Sequence, residues 1–358
     1  MKGFGREELL ELAWEKPILA QIEITNKCNQ ECKFCYTGKK AMETKHDLTL
    51  VQWQGIILKL RNLGIRRLDF TGRESFMYPD FTALISWCKE LGFELRINTN
   101  GTSDVSNVLK FADEIVFSVH GIGSVHDEIV GKANSFNLVE ANIRRAFANG
   151  VNGIRTSINM SLVRSNYHQM MEVFTYFDSR YDIYKFAPSI PVPSRFGNVF
   201  EDIALVLNRE LLEDYINNLK KIPKNKLTLK HGFHSIFIDD REHYINSGLL
   251  LPNCAAGKYK LVVESDGKVF PCNFFKSEEF YCGNILTDNE HRIWKSGKGF
   301  ERFRQLVLKD RIPEECHICL KKPRCYSGCR AWASNYEEGG FENVKDQRCE
   351  IRSAFIGG

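Results

Sequence analysis

Short apolar segments rich in β-branched residues alternate with amphipathic helical patterns along the first half of the chain. This alternation limits the possible folds more than any other feature. Strand patterns cover 20–25, 66–72, 93–101, 114–121, 153–163 and 182–188, and helical patterns cover 49–64, 80–92, 104–111, 136–149 and 166–177. Strands that alternate with helices form parallel sheets with right-handed crossovers. We therefore predict an α/β fold, either doubly wound or barrel-like, with chemistry at the carboxyl ends of the strands.

The alternation stops near residue 190, which divides the chain into four predicted regions. An N-terminal extension covers 1–19, the alternating α/β domain covers 20–198, and a connecting region with one helical pattern covers 199–253. Residues 254–358 hold eight of the twelve cysteines and a predicted β-hairpin that turns at Asp266 and Gly267. The sequence therefore predicts a small cysteine-rich domain after the α/β domain.

Charge and hydropathy exclude two classes of partner. The 49 basic and 45 acidic residues give a net charge of +4, and they form no basic stripe of the kind that binds nucleic acid. No apolar run reaches the ~18 residues that span a bilayer. Glu7, Glu8 and Glu11 lie where a signal peptide needs an apolar core. We expect a cytoplasmic protein that binds neither nucleic acid nor a membrane.

Three cysteines occur within the eight residues CNQECKFC, on the predicted loop after the first strand. The spacing C-x3-C-x2-C of Cys28, Cys32 and Cys35 supplies three thiolates, whereas a closed zinc site needs four ligands. A [4Fe–4S] cluster held by three cysteines keeps one iron open for another ligand. The alternative is a zinc site that is completed by a distant fourth ligand.

The second group of cysteines lies near the C-terminus. Its spacing is typical of metal knuckles, and it contains more thiols than one site can use, so two metal sites are predicted. The spacing alone fits zinc and iron–sulfur clusters equally well. The cysteines concerned are Cys254, Cys272, Cys316, Cys319, Cys325, Cys329 and Cys349. Cys88 falls on a helical pattern and is interpreted as a small buried residue.

The first cysteine motif resembles the signature of the radical S-adenosylmethionine (SAM) superfamily, C-x3-C-x-Φ-C, with Phe34 as the aromatic residue and Tyr36 after the last cysteine. The resemblance implies a partial (β/α)6 barrel in which the three cysteines hold a [4Fe–4S] cluster and SAM binds the open iron. It also implies that an electron from the cluster cleaves SAM to a 5′-deoxyadenosyl radical, which abstracts hydrogen from a substrate.

Other predicted strand ends match the same family. The segment TGRE stands where the family has Gly-Gly-Glu-Pro, with Arg73 replacing the second glycine and Ser75 the proline. The resemblance implies that Gly72, Arg73 and Glu74 contact SAM, the backbone and the acid of the motif meeting the methionine ammonium. The remaining SAM contacts that the resemblance implies are Phe34, Tyr36, Asn98, Asn100, Ser118 and Asn159.

The C-terminal cysteines resemble the SPASM domain, which in relatives binds two auxiliary [4Fe–4S] clusters, giving three clusters in all. The resemblance assigns Cys254, Cys272 and Cys329 to the proximal cluster. It assigns to the distal cluster Cys316, Cys319, Cys325 and Cys349. Lys260 stands where some relatives have a further cysteine, so the proximal cluster either has an open iron or is closed by Cys282.

Relatives with both regions mostly modify ribosomally made peptides or proteins. The resemblance therefore implies a radical SAM oxidoreductase of the maturase type, with a flavodoxin- or ferredoxin-type reductant. Because about 19 residues precede the first strand pattern, we expect any leader peptide to need a separate leader-binding protein or the barrel itself. Asn273 follows Cys272 where sulfatase maturases typically have an aspartate, and an amide is no proton acceptor. The alternatives are a radical dehydrogenase or carbon-skeleton enzyme for a small molecule, and a non-enzymatic zinc protein.

Overall fold

The computed structural model describes residues 16–38, 47–148, 155–192, 209–229, 254–308, 313–318, 328–336, 346 and 349. Within these residues one nine-stranded sheet has the order β6-β5-β4-β3-β2-β1-β7-β8-β9. Its first six strands are Leu19–Ile22 (β1), Arg67–Phe70 (β2), Glu94–Thr99 (β3), Glu114–Ser118 (β4), Arg155–Ser161 (β5) and Lys185–Ser189 (β6). Each pairs in parallel with its neighbour in the sequence. The predicted parallel α/β architecture is confirmed.

The helices of this region follow the strands and bury one face each. They are Leu50–Leu63 (α1), Phe81–Glu90 (α2), Ser106–Leu109 (α3), Ser124–Val130 (α4), Ser135–Ala148 (α5), Met170–Tyr181 (α6) and Arg209–Lys221 (α7). Helix α1 begins at a capping box formed by Thr49 and Gln52 and ends at Gly64, whose φ of 104° suits glycine. The sequence patterns predicted every helix of this set except α4.

The cysteine-rich region continues the same sheet. It contains Lys260–Val263 (β7), Lys268–Phe270 (β8), Gly283–Asn284 (β9), Glu290–Ser296 (α8), Lys298–Leu308 (α9), Glu314–His317 (α10) and Arg330–Tyr336 (α11). Strands β7 and β8 form the predicted hairpin, in which Gly267 has a φ of 82°. Strand β7 also pairs in parallel with β1, from Leu19 opposite Lys260 to Ile22 opposite Val263. Strand β1 therefore lies between the two regions.

Helix α1 supplies a second connection. The Lys59 ammonium donates to the carbonyl oxygens of Ile285, at 2.8 Å, and Asp288, at 2.9 Å. Beside these contacts Trp294, Phe300 and Phe303 are almost fully buried, and they belong to the same hydrophobic core as the α/β domain. The aromatic packing and the shared sheet fix the hairpin against the barrel strands.

The structure bears on two further expectations, and on each only as far as the described residues reach. No helix among the described residues has both the length and the hydropathy to cross a membrane. Most of the N-terminal extension 1–19 and most of the connecting region 199–253 lie outside the described residues, so the four domain boundaries stay predictions.

Candidate active site at the carboxyl ends of the strands

The loop after β1 brings together three thiols that form no disulfide. Cys28, Cys32 and Cys35 are partly buried, and the Cys35 N–H donates to the Cys32 carbonyl oxygen at 3.1 Å. Burial raises the pKa of Cys32, and the charges of Cys35 and Cys28 raise it further. Burial also raises the pKa of Cys28, against a hydrogen bond from the backbone of Gln30. Thiols this close repel one another as thiolates, and a positively charged iron centre would relieve that repulsion.

Helix α4, which sequence patterns missed, holds this loop in place. The backbone N–H groups of Glu31 and Lys33 donate to the carbonyl oxygens of Val130, at 2.9 Å, and Ile129, at 3.0 Å. A Cβ on Gly131 would stand 3.1 Å from the Glu31 carbonyl oxygen. The sequence indicated α4 only weakly, through the apolar pair Ile129 and Val130 and the glycine that follows them. In the structure this glycine, Gly131, has a φ of 64°.

A second anchor lies between the cysteine loop and the start of α5. The Gln30 amide donates to the Ser135 hydroxyl at 2.7 Å, and the Cys32 thiol lies 3.7 Å from the Gln30 amide oxygen. Ser135 also lies 3.3 Å from Nε2 of His126, which is buried. Burial lowers the pKa of His126 to about 4, so this anchor carries no charge at neutral pH.

Glu74 lies at the end of β2 and is almost fully buried. Its Oε1 accepts from the Thr99 hydroxyl at 2.9 Å and from the Phe76 N–H at 3.2 Å, and its Oε2 accepts from the Asn100 N–H at 2.7 Å. Burial raises the pKa of Glu74 to about 6, against these hydrogen bonds. The carboxylate is therefore ionised at neutral pH and fixed against the end of β3.

The two residues before Glu74 have different roles in the turn. Gly72 has a φ of 94°, and a Cβ there would stand 2.7 Å from Cγ of Glu23, so the turn requires glycine. Arg73 is buried, and its guanidinium donates to the carbonyl oxygens of Gly38, at 2.6 Å, and Thr37, at 3.5 Å. The arginine thus contacts the end of the cysteine loop.

The remaining candidate SAM contacts lie along the same edge of the sheet. The Asn100 side chain donates to Asn29 in the cysteine loop at 2.8 Å, whereas the Asn98 side chain donates to the Phe70 carbonyl oxygen at 3.0 Å. Ser118 is the register partner of Asn159 between β4 and β5. The ring of Phe34 packs edge-on against His120, with centroids 4.6 Å apart.

Glu23, immediately after β1, is the centre of a buried polar network. Its Oε1 accepts from the Tyr36 hydroxyl at 3.2 Å and from the Asn273 amide at 2.9 Å, and its Oε2 accepts from the Lys276 ammonium at 2.6 Å. Lys276 also forms an ion pair with Glu264 at 3.0 Å. Tyr36 adjoins Cys35 and Asn273 adjoins Cys272, so the network connects the two cysteine regions. The sequence indicated this network only through Glu23 itself, a charged residue inside the apolar strand pattern AQIEIT.

Contacts among the described C-terminal cysteines join Cys254 with Cys272, and they join Cys329 with Cys316 and Cys349, two residues that the resemblance assigns to the other cluster. Burial raises the pKa of Cys272, while Lys260 lowers it and Cys254 raises it, so these two thiols lie near each other. Around Asp346, the Cys329 N–H donates to the carboxylate at 2.9 Å and the Cys349 N–H donates to the backbone carbonyl at 2.8 Å. The charges of Cys329 and Cys316 both act on the pKa of Arg330, which burial lowers. Cys319 and Cys325 lie outside the described residues.

Cys282 is surrounded by backbone and aromatic groups. Its N–H donates to the Val269 carbonyl oxygen at 3.0 Å, and its thiol donates to the Phe280 carbonyl oxygen at 3.4 Å. A Cβ on Gly299 would stand only 2.9 Å from its sulfur. Burial raises the pKa of the thiol. Cys88 is likewise buried in α2, in line with its interpretation as a core residue.

The donor set fits iron–sulfur clusters. Within the described ranges no three His, Cys, Asp or Glu side chains converge on a single metal ion. A [4Fe–4S] cluster does not require such convergence, because each cysteine binds a different iron. Three thiols on one short loop beside Glu74 therefore fit an iron–sulfur centre with room for one further ligand.

Two family models match the chain, and together they cover more than half of it. One is the radical SAM superfamily, over residues 22–177, and the other is an iron–sulfur cluster-binding domain, SPASM, over 254–320. The chain belongs to the radical SAM superfamily and carries a SPASM domain. It is an enzyme of that superfamily, which contradicts the alternative of a non-enzymatic zinc protein.

Individual relatives resemble the chain over most of its length. The mycofactocin maturase MftC of Mycobacterium tuberculosis (strain CDC 1551 / Oshkosh) is 24% identical over 333 residues, which are 90% of this chain and 81% of the relative. Streptococcus suis SuiB bound to precursor peptide SuiA has a TM-score of 0.73 at 19% identity, covering 94% of this chain and 76% of SuiB. The protein anSMEcpe with bound AdoMet has a TM-score of 0.69 at 16% identity, covering 95% and 92%.

Proposed function

We propose that this protein is a radical SAM maturase that oxidatively modifies a peptide or protein. The observation that carries the proposal is the shared sheet: β1 ends at the three-cysteine loop, and its neighbour β7 begins the hairpin that ends at Cys272. Proteins similar to this chain include a maturase and a protein solved with its precursor peptide. A substrate bound between the two cysteine regions would lie within reach of both.

Three clusters follow from the cysteine assignment. Cys28, Cys32 and Cys35 would hold the cluster that binds SAM. Two auxiliary clusters would be held by Cys254, Cys272 and Cys329 and by Cys316, Cys319, Cys325 and Cys349. When bound, the first cluster supplies the electron that cleaves SAM, and the auxiliary clusters accept the electron that the substrate loses.

The chain's own residues would orient SAM. The ionised Glu74 would accept a hydrogen bond from the methionine ammonium, and Ser118 and Asn159 would offer polar groups at the next strand ends. Asn100 binds Asn29 and so ties the third strand end to the cysteine loop. Gly72 would let the backbone approach SAM closely.

Reconstitution with iron and sulfide under anaerobic conditions tests the enzyme class. We expect about twelve irons per chain and 5′-deoxyadenosine that forms only with dithionite. Stoichiometric zinc with no nucleoside would contradict the proposal.

The substrate class requires a second experiment. The protein would be co-expressed with short peptides encoded beside its gene, and each peptide would be examined by mass spectrometry. A mass loss that depends on Cys28, Cys32 and Cys35 is expected for an oxidative modification. Nucleoside formation stimulated by a small metabolite, and by none of the peptides, would favour the small-molecule alternative. A flavodoxin or ferredoxin that replaces dithionite, and a separate leader-binding protein, are further partners that we propose.

A further inference from the structure

We propose that Arg73 is a positioning residue for the SAM-binding cluster: it fixes the end of the cysteine loop and places a permanent positive charge beside the turn that carries Cys35. The inference rests on the proposed function, because it needs a cluster on these cysteines. The inference gives Arg73 a role toward the cluster, whereas the sequence resemblance implies that this position contacts the methionine ammonium of SAM.

The geometry of the loop end supports the positioning role. Residues Cys35 to Gly38 form a turn in which the Gly38 N–H donates to the Cys35 carbonyl oxygen at 3.3 Å, and the Cys35 sulfur lies 3.1 Å from the Thr37 hydroxyl. Gly38 has a φ of 62°. Arg73 donates to the carbonyl oxygen of Gly38 at 2.6 Å from a buried position. One side chain from the β2 end thus closes the turn that carries the third cysteine.

In this chain Arg73 occupies the position of the second glycine of the family motif. A glycine there, as in Gly-Gly-Glu-Pro, has no side chain that could reach the loop. Meanwhile Glu74 is held by Thr99, Phe76 and Asn100, and none of these bonds involves the arginine. The neighbouring carboxylate is therefore fixed without help from Arg73.

The charge of Arg73 lies beside the cysteine loop. Among the described residues its guanidinium donates to two neutral carbonyl oxygens, those of Thr37 and Gly38, which do not cancel the charge. These acceptors lie two and three residues after Cys35, so the charge is next to the turn that would hold the cluster. A reduced [4Fe–4S] cluster carries one more negative charge than the oxidised cluster. A nearby positive charge in a poorly solvated site therefore favours reduction.

The test measures the reduction potential of the cluster that responds to SAM. Wild type, Arg73→Gln, Arg73→Lys and Arg73→Gly would be reconstituted anaerobically. The electron paramagnetic resonance signal that changes on SAM addition would then be followed during a redox titration. We expect Arg73→Gln and Arg73→Gly to lower the reduction equilibrium constant about tenfold, or about 59 mV for a one-electron couple. Arg73→Lys should keep most of the wild-type potential, since it keeps the charge.

Arg66→Gln is the matched control, because Arg66 is exposed and lies just before the opposite end of β2. The reduction potential of the SAM-responsive cluster in Arg66→Gln should equal that in the wild type. Hydrogen exchange at residues 35–38 supplies the second measurement, and it should be faster in Arg73→Gln and Arg73→Gly even before the cluster is loaded. This measurement needs no cluster and so applies to any variant that loads iron poorly.

The outcomes separate this inference from the proposed function. Unchanged potentials and unchanged exchange in the Gln and Gly variants would overturn the inference. Equal potentials in the Lys and Gln variants would overturn the role of the charge. A wild-type protein without any SAM-responsive cluster would instead overturn the proposed function.

Discussion

Adjacent side chains in the TGRE segment act on different parts of the site. Glu74 is bound by the end of β3, and Arg73 is bound by the end of the cysteine loop. Their opposite charges lie in a poorly solvated region, where each has a larger effect than it would have in water. The segment therefore fixes a carboxylate and a cation beside the same three cysteines.

The raised pKa of Glu74 gives SAM binding a pH dependence. Its pKa of about 6 lies above the ordinary 4.5, so this group's contribution to stability is present below pH 4.5 and lost as pH rises through about 6. The affinity for SAM changes with pH in the opposite direction, because the methionine ammonium binds the ionised carboxylate. We expect the affinity of reconstituted protein for SAM to fall as pH decreases below about 6.

Glu74→Gln is the control for this titration. It should bind SAM more weakly at pH 7.5, by roughly 1.5–3 kcal/mol for a hydrogen bond between charged groups, and its affinity should change little between pH 5.5 and 7. Equilibrium binding at several pH values checks both expectations. A variant with the wild-type pH profile would show that another group titrates.

The packing of Cys282 leads to a prediction about the proximal auxiliary cluster. Its sulfur lies close to Gly299 and donates to the Phe280 carbonyl oxygen, which leaves little room for an iron atom. We expect Cys282→Ala to keep the wild-type iron content and auxiliary spectrum, with a loss of stability of about 1 kcal/mol. Iron analysis and electron paramagnetic resonance measure this. Loss of about four irons per chain would show that Cys282 closes the cluster.

At the scale of the elements, the strand patterns were predictable because buried parallel strands have a strong apolar signature. The predicted segment 114–121 contains β4, and 153–163 contains β5. Helix α4 was missed because its segment SVHDEIV is too sparse in apolar residues to show a clear helical period. The pairing of β7 with β1 was beyond sequence reasoning, because residues 241 positions apart leave no local signal. For the same reason Glu23 could not be matched with Lys276 in advance.

The ion pairs of Lys276 connect the end of β1 to the hairpin region. The ammonium lies between Glu23 and Glu264, and the Lys276 side chain is only 15% exposed. Loss of one partner leaves buried charges uncompensated, which typically costs about 3–5 kcal/mol. We therefore expect Lys276→Met to lower the free energy of unfolding by that amount, measured by chemical denaturation of the protein without clusters.

The hairpin offers a matched control for Lys276→Met. Lys268 pairs with Asp266 at 3.3 Å, but its side chain is 44% exposed. Exposed pairs contribute about 0–1 kcal/mol, so Lys268→Met should change stability little. Equal losses in both variants would show that the buried network does not hold the two regions together.

For the molecule as a whole, the shared sheet explains how two cysteine regions can work on one substrate. The first region lies after the carboxyl end of β1, and Cys272 follows the hairpin that pairs beside β1. The family of the first region was predictable from its motif, since all three proposed ligands fall within eight residues. The proposed auxiliary ligands come from distant segments, and only Cys254, Cys272, Cys316, Cys329 and Cys349 among them lie within the described residues.

Replacing Cys28, Cys32 and Cys35 together by Ala should separate the two regions functionally. The loop is held by α4, Ser135 and Arg73 through backbone and Gln30 contacts, none of which needs the thiols. The auxiliary cysteines lie on other segments, so about eight of about twelve irons should remain. Formation of 5′-deoxyadenosine should be abolished, because the remaining clusters lack the position beside Glu74. Iron analysis and nucleoside chromatography on the same sample test this, and a triple variant that still cleaves SAM would place the catalytic cluster elsewhere.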